Sequence, residues 1–269
     1  MTRYLDTCIK EWRINIWRTD SGPGHHLHCM DSDPDRKGIF EVRYIEGLYR
    51  MWDDLLKNNP GLMIDNCWGG GTRIDIEACS RSFPLWRTDS DVWGYGARDR
   101  VHPSILHQNI NCSLNRYVPY HSSGLYFFDP YYVRSTFNGG LTIGTPTEEN
   151  ERKQLARGIK ECRRLRKYLH GDFYRLIYQS NDESEWCAYQ YHLPEEEAGF
   201  ILLFRRDASP YNNTSPMPKG IRASANYELN FYESYDLSKT VRMSGGQFAE
   251  INVEIKEKPG SLLIEYKKV

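Results

Sequence analysis

The apolar positions of this chain follow two rhythms. Up to about Gly171, short apolar runs alternate with longer segments whose apolar residues recur every three or four positions, as expected of βα units on a parallel sheet. Beyond that point, short apolar segments are separated by turn-forming clusters, the pattern of an antiparallel β-sandwich. The chain reads as α/β plus all-β, with domains at 1–171 and 172–269.

In the first part, residues 14–17 predict a strand that runs out at Asp20. Ile45, Leu48, Tyr49, Trp52, Leu55 and Leu56 then share one face of a helix, which Asn58-Asn59-Pro60-Gly61 stops. Residues 62–64 predict the next strand, and 83–86 one that leads to Asp89. A helix within 104–115, a strand over 117–120, and a helix capped by Asp129 with Pro130 at its first position follow. A strand at 141–143 and a helix over 148–169, acidic at its start and basic at its end, bring the total to about five βα units. A closed eight-stranded barrel takes eight such units in about 250 residues. Five units therefore read as part of a (β/α)8 TIM barrel, about strands four to eight. In the second part, strands are predicted near 173–178, 186–192, 200–205, 227–232, 248–256 and 261–266. Turns fall at Pro194, Asn212-Asn213, Gly245-Gly246 and Pro259-Gly260.

The chemistry concentrates where apolar runs end abruptly. Arg18-Thr19-Asp20, Cys67-Trp68-Gly69-Gly70-Gly71 and Trp86-Arg87-Thr88-Asp89 each follow a predicted strand. In a parallel sheet the loops after the strands open on one face, so carboxylates from different strand ends can converge on one substrate. A pair of carboxylates is the minimum equipment for glycosidic cleavage. Gly69–Gly71 reads either as a flexible turn or as backbone that approaches a ligand closely. It lacks the Gly-Lys-Ser/Thr ending of a phosphate loop. Arg73 and Asp75 read as a supporting ion pair, and Trp86 as core.

Composition narrows the picture further. Thirty-five basic and 36 acidic residues leave a net charge of −1, which argues against a nucleic-acid partner. The basic run 152–167 carries an apolar stripe (Leu155, Ile159, Cys162, continued by Leu169) and reads as an outer helix with a solvated face. No apolar stretch reaches the roughly 18 residues that cross a membrane. The first six residues lack the apolar core of a signal peptide. Seven cysteines without a C-x-x-C pair read as reduced thiols, and the expected location is cytoplasmic. His25, His26, His28 and Cys29 are too nearly contiguous for tetrahedral zinc, so no metal is read. His121 lies at another strand end. Nineteen Tyr and seven Trp suit a carbohydrate surface, and equally a β domain.

As a series, Arg18-Thr19-Asp20, Asp65-Asn66-Cys67 with Gly69–Gly71, Arg73-Ile74-Asp75 and Trp86-Arg87-Thr88-Asp89 resemble, in order and spacing, the motifs of the glycoside hydrolase family 36 α-galactosidases of the melibiase clan. The resemblance implies the C-terminal portion of such an enzyme. It further implies retaining double displacement on terminal α-D-galactosyl residues, with Asp20 as nucleophile and Asp89 as acid/base. Arg18, where the family often has Lys, would bind sugar hydroxyls and keep Asp20 ionised. Cys67, Trp68 and Gly69 would lie against the sugar. No cofactor or metal is implied, and the partner is an α-galactoside oligosaccharide. Two departures are visible. Ser21-Gly22-Pro23-Gly24 follows Asp20 where the family continues with an aromatic and Asn, and the strands that grip the galactosyl hydroxyls are not in this chain. The chain is therefore expected to be truncated, with self-association or a partner supplying the missing strands. The alternatives are an inactive or sugar-binding remnant, and a retaining hydrolase for another α-linked sugar.

Overall fold

The computed structural model describes residues 1–20, 36, 38–83, 85–89, 101–118, 120–178 and 180–269. His25, His26, His28 and Cys29 lie outside the described residues. The chain forms two compact units, residues 1–90 with 120–122, and residues 91–119 with 123–269. Among the described residues no helix is long and apolar enough to cross a membrane.

The first unit contains α1 (Thr2–Glu11), β1 (Ile16–Thr19), α2 (Ile39–Asn58), β2 (Met63–Asn66), α3 (Ile76–Arg81), β3 (Leu85–Trp86) and the first residues of β4 (His121–Leu125). The strands are parallel and lie in chain order. Thr19 pairs with Asn66, Asn66 with Leu85, and Leu85 with His121. α2 forms because its apolar residues fall on one side. Leu48, Trp52 and Leu55 are buried, and the packing runs to Ile64 and Ala78 at one end and to Ile9 and Leu62 at the other. Fully burying Trp52 and Leu55 contributes about 2–3 kcal/mol each. Proline ends α2 as expected. Asn59 adds a lock, its side-chain amide donating to the Leu55 carbonyl at 2.9 Å and to Asp6 at 2.8 Å.

The second unit contains α4 (Val101–Leu114), the rest of β4, α5 (Pro130–Thr136), β5 (Gly140–Ile143), α6 (Glu149–Leu165), a 3-10 turn (Arg166–His170) and an all-β region. Its six-stranded antiparallel sheet has the order β11-β10-β13-β8-β7-β6. These strands are β6 (Asp172–Arg175), β7 (Cys187–Leu193), β8 (Ala198–Arg205), β10 (Asn226–Tyr232), β11 (Lys239–Ser244) and β13 (Gly260–Lys268). β9 (Asn213–Thr214) and β12 (Val253–Glu254) form a second, two-stranded sheet. Every residue of β8 is buried. On one face Ile201 and Leu203 pack with Leu229, Phe248, Val253, Leu262 and Ile264. On the other, Phe204 meets Tyr131 of α5, and Phe200 meets Phe137 and Tyr168. Burial on both faces explains why β8 reads as a continuous apolar run rather than an alternating one.

Three expectations are corrected. The strand placed at 117–120 begins instead at His121, because Leu114–Tyr117 closes the helix with backbone bonds from Tyr117 and Val118 to the Leu114 carbonyl. Gly245-Gly246 opens a short helix, α7 (Gly245–Ala249), rather than a turn, since Ser244 and Gln247 form a reciprocal capping box. The strand predicted over 248–256 thereby shrinks to β12. α1, α3, β9 and β11 were not anticipated; β11 is exposed along much of its length and carries little apolar signal.

One ion pair ties the helices of the second unit to its sheet. Arg134 on α5 is 1% exposed, and its Nε and Nη2 fork onto Glu161 of α6, each at 2.9 Å. Its remaining donors reach the carbonyls of Tyr232 and Ser234 and the Ser261 hydroxyl. Arg134→Ala leaves the Glu161 carboxylate buried and unpaired, and is expected to cost about 3–5 kcal/mol in urea unfolding. The double change Arg134→Met with Glu161→Leu is expected to recover most of that loss.

Candidate functional site

The site is built from the ends of β1, β2 and β3, all in the first unit. Because Arg18 and Asp65 are register partners on adjacent parallel strands, their side chains share one face, and Arg18 Nη1 donates to Asp65 Oδ1 at 2.9 Å. Arg18 Nη2 reaches Asp20 Oδ2 at 3.4 Å. Desolvation works against the Arg18 charge, but the bond to Asp65 and the charges of Asp65, Cys67 and Asp20 outweigh it and raise its pKa. Arg18 and Asp20 remain open to solvent at 40% and 54% side-chain exposure.

Cys67 follows β2 and is buried. Burial, and then the negative charge of Asp20 with a hydrogen bond to it, pushes the Cys67 thiol up to about 11. The thiol therefore stays protonated near neutrality, as a donor to the Asp20 carboxylate. Its sulfur also meets the backbone N–H of Gly70. Gly69, Gly70 and Gly71 all have positive φ (48°, 68° and 90°). A Cβ on Gly70 would lie 2.9 Å from the Asp89 Cγ, and one on Gly71 would lie 2.4 Å from the Arg87 carbonyl. Only glycine allows the loop after β2 to lie this close to the segment after β3.

That second segment holds Asp89. Trp86 Nε1 donates to Asp89 Oδ1 at 2.6 Å, and the Arg18 guanidinium sits 5.5 Å from the Trp86 ring centroid. Trp86 is therefore both core, at 6% exposure, and a fixed donor to the carboxylate. Behind it, Arg87 Nη1 lies 3.3 Å from His121 Nδ1, both residues buried. Burial, reinforced by Arg87, holds His121 well below the ordinary histidine range, so it is a neutral acceptor.

The expected ion pair between Arg73 and Asp75 is replaced by separate roles. The Arg73 guanidinium stacks 3.6 Å from the Trp68 ring centroid, fixing the indole that follows Cys67. Asp75 caps α3 through the Ala78 N–H and accepts from the Tyr49 hydroxyl. Burial and that bond push Tyr49 up to about 12.

The structure thus gathers Arg18, Asp20 and Cys67 into one cluster and Trp86 and Asp89 into a second. Gly70 touches both, and Gly69 precedes it in the same loop. Trp68 is turned into contact with Arg73 and Tyr44. Sequence reasoning missed Asp65 as the partner of Arg18, and the Arg87–His121 pair. The first was detectable by aligning the two strand ends, because equivalent positions on adjacent parallel strands face the same side. Among the described residues no group of three or more His, Cys, Asp or Glu could hold a metal ion.

No family model matches the chain. Among curated proteins it is 27% identical over 233 residues to α-galactosidase AgaA of Geobacillus stearothermophilus, covering 81% of this chain and 30% of that protein. It is 22% identical over 215 residues to α-galactosidase 1 of Pediococcus pentosaceus, covering 74% and 28%. Among solved structures, the GH36 α-galactosidase AgaA of G. stearothermophilus matches with a TM-score of 0.76 at 16% identity, covering 100% of this chain and 37% of that one. The galactosidase domain of the α-galactosidase-sucrose kinase AgaSK matches with 0.76 at 15%, covering 100% and 36%. The fold is similar to that of these GH36 α-galactosidase structures, and the chain spans about three tenths of the curated relatives it matches.

Ionisation of Cys67 sets a pH limit. Its pKa is higher folded than unfolded, so its contribution to stability is complete below pH 9 and is lost as pH rises from 9.0 toward about 11. Thermal unfolding followed from pH 8 to 11 should fall more steeply for the wild type than for Cys67→Ala.

Proposed function

We propose that this chain contributes the two reacting carboxylates of a retaining α-galactosidase. The observation that supports it is the loop after β2, which meets Asp20 through Cys67 and Asp89 through Gly70. In this reading Asp20 attacks the anomeric carbon and forms a glycosyl ester, while Asp89 protonates the departing oxygen. Asp89 then deprotonates the water that hydrolyses the ester. A retaining enzyme needs its carboxyl groups roughly 5–5.5 Å apart. Arg18 orients the Asp20 carboxylate and donates to sugar hydroxyls. The Trp86 indole fixes Oδ1 of Asp89 and leaves Oδ2 for proton transfer. Cys67, Trp68 and Gly69 form the wall against the sugar. The five strands β1 to β5 are read as strands four to eight of a (β/α)8 barrel, with the all-β region from 172 onward as a second domain. A variant of AgaA has been solved in complex with raffinose, which makes terminal α-galactosides the substrate class of choice.

Asp89→Asn should lower turnover of a chromogenic α-galactoside by about 10²–10⁴-fold, and Asp20→Ala should abolish it. Turnover that survives Asp20→Ala removes this residue from the mechanism. A second reading is sugar binding without turnover, in which the solvent-open Arg18–Asp20 pair holds the saccharide. Its signature is raffinose affinity lost in Arg18→Ala with no hydrolysis by the wild type.

The proposed cytoplasmic oligosaccharide hydrolase also has an assembly requirement. β1 is the edge of its sheet among the described residues, and Ile16 on it is 55% exposed. We propose that a second copy or a partner chain covers this edge. Light scattering of the purified chain should show self-association; a monodisperse, cooperatively folding monomer would contradict it.

A further inference from the structure

A cavity of about 410 Å³ opens on the sheet of the second unit, over β6, the β7–β8 hairpin and the segment around Gly220. Its floor is a buried hydrogen-bond relay. The Gln190 amide clamps the backbone of Lys219, donating to its carbonyl and accepting from its N–H, each at 2.8 Å. The same amide donates to the Tyr266 hydroxyl at 2.6 Å, and that hydroxyl lies 3.0 Å from His192 Nδ1. Gln190, Tyr266 and His192 are 0%, 1% and 3% exposed. Burial lowers the His192 pKa against the pull of Asp172, Glu197 and Glu195, so the imidazole is neutral. The Tyr266 hydroxyl already accepts from Gln190, and its own proton goes to Nδ1. That assignment gives the buried hydroxyl proton an acceptor and puts the ring hydrogen on Nε2, the ring's other polar atom. Gly220, at φ +70°, lies flat on this ring; a Cβ there would come within 2.8 Å of His192 Cδ2. Any side chain at 220 would strain the backbone and press on the ring.

The walls are polar and held in place. Glu197 sits in the left-handed region at φ 45°, a strained position for a non-glycine residue, and its carboxylate is paired with both Arg222 and Lys268. Tyr174 donates its hydroxyl to Asp172 at 2.9 Å, which leaves the phenol ring as an apolar wall beside Pro194. The pocket thus offers one neutral N–H donor, a guanidinium, two carboxylates and an aromatic face. With Glu197 paired to Arg222 and Lys268, the remaining charge in the lining is the Asp172 carboxylate, which disfavours an anion. Acceptors and donors around a ring-sized apolar face suit vicinal hydroxyls. We propose that this cavity is a saccharide-binding site that takes a neutral pyranose, separate from the carboxylates at the ends of β1 and β3.

The test is saturation-transfer NMR on the whole chain with raffinose as the probe. Transfer to the sugar should appear at millimolar concentration and persist in Asp20→Asn. It should fall by about tenfold in Tyr174→Ala and in Asp172→Asn. Asp172 is exposed at the rim, so its amide variant decides the matter if Tyr174→Ala does not fold. No transfer at about 10 mM, transfer indifferent to Asp172→Asn, or transfer abolished by Asp20→Asn overturns the proposal. The last outcome would return all binding to the barrel-end site, so failure of this site and failure of the glycosidase reading are distinguishable.

Discussion

The candidate site depends on the register of three short parallel strands. Thr19, Asn66 and Leu85 stand at one level, so Asp20 and Cys67 leave the sheet together, beside Trp86, which is still paired with Ser122 of β4. A slip of one residue in β2 would turn Asp65 away from Arg18, replace it with a buried neighbour, and detach Cys67 from Asp20. The register is set by what lies on the other face, where Ile64 packs against Trp52 and Leu48. The hydrophobic layer under the sheet therefore decides which polar groups meet above it.

Charge is handled differently in the two units. At the strand ends the Arg18–Asp20–Asp65 group is half open to water, where an ion pair adds little stability but orients the carboxylates. In the second unit, Arg134 and Glu161 are almost wholly buried, and the value of the pair lies in where it sends five guanidinium donors. Arg206 follows the same logic without a carboxylate. It is 1% exposed and donates to Gln108, Asn109 and the carbonyls of Ser180 and Asp182. The basic run 152–167, on α6 and the 3-10 turn after it, goes into ion pairs, among them Arg157 with Asp236, Arg164 with Glu265, and Lys167 with Glu196.

Much of the fold was legible because its signals are local. The 3–4 spacing from Ile45 to Leu56, the Asp129-Pro130 start and the apolar run 200–204 each specify an element from within. β11 was not legible, since its residues are largely solvated and its place comes from pairing with β10. α7 was hidden because two glycines read as a turn until Ser244 and Gln247 close around them. At the site, the carboxylates and the glycine loop stood out by residue type. The stacking of Arg73 on Trp68 and the bond between Arg87 and His121 did not, because each depends on side chains that only the folded backbone brings together.

The two-sided burial of β8 also bears on how the second unit is inherited. A sheet with one wet face can be shuffled between proteins as a self-sufficient module. This one cannot, because Phe200 and Phe204 complete the packing of Phe137, Tyr168 and Tyr131 from the helical side. Transplanted alone, the sheet would carry a strip of bare aromatic rings into solvent, a surface prone to aggregation. The helices and the sheet of this unit thus form one packing unit, in which neither side covers its aromatic rings without the other.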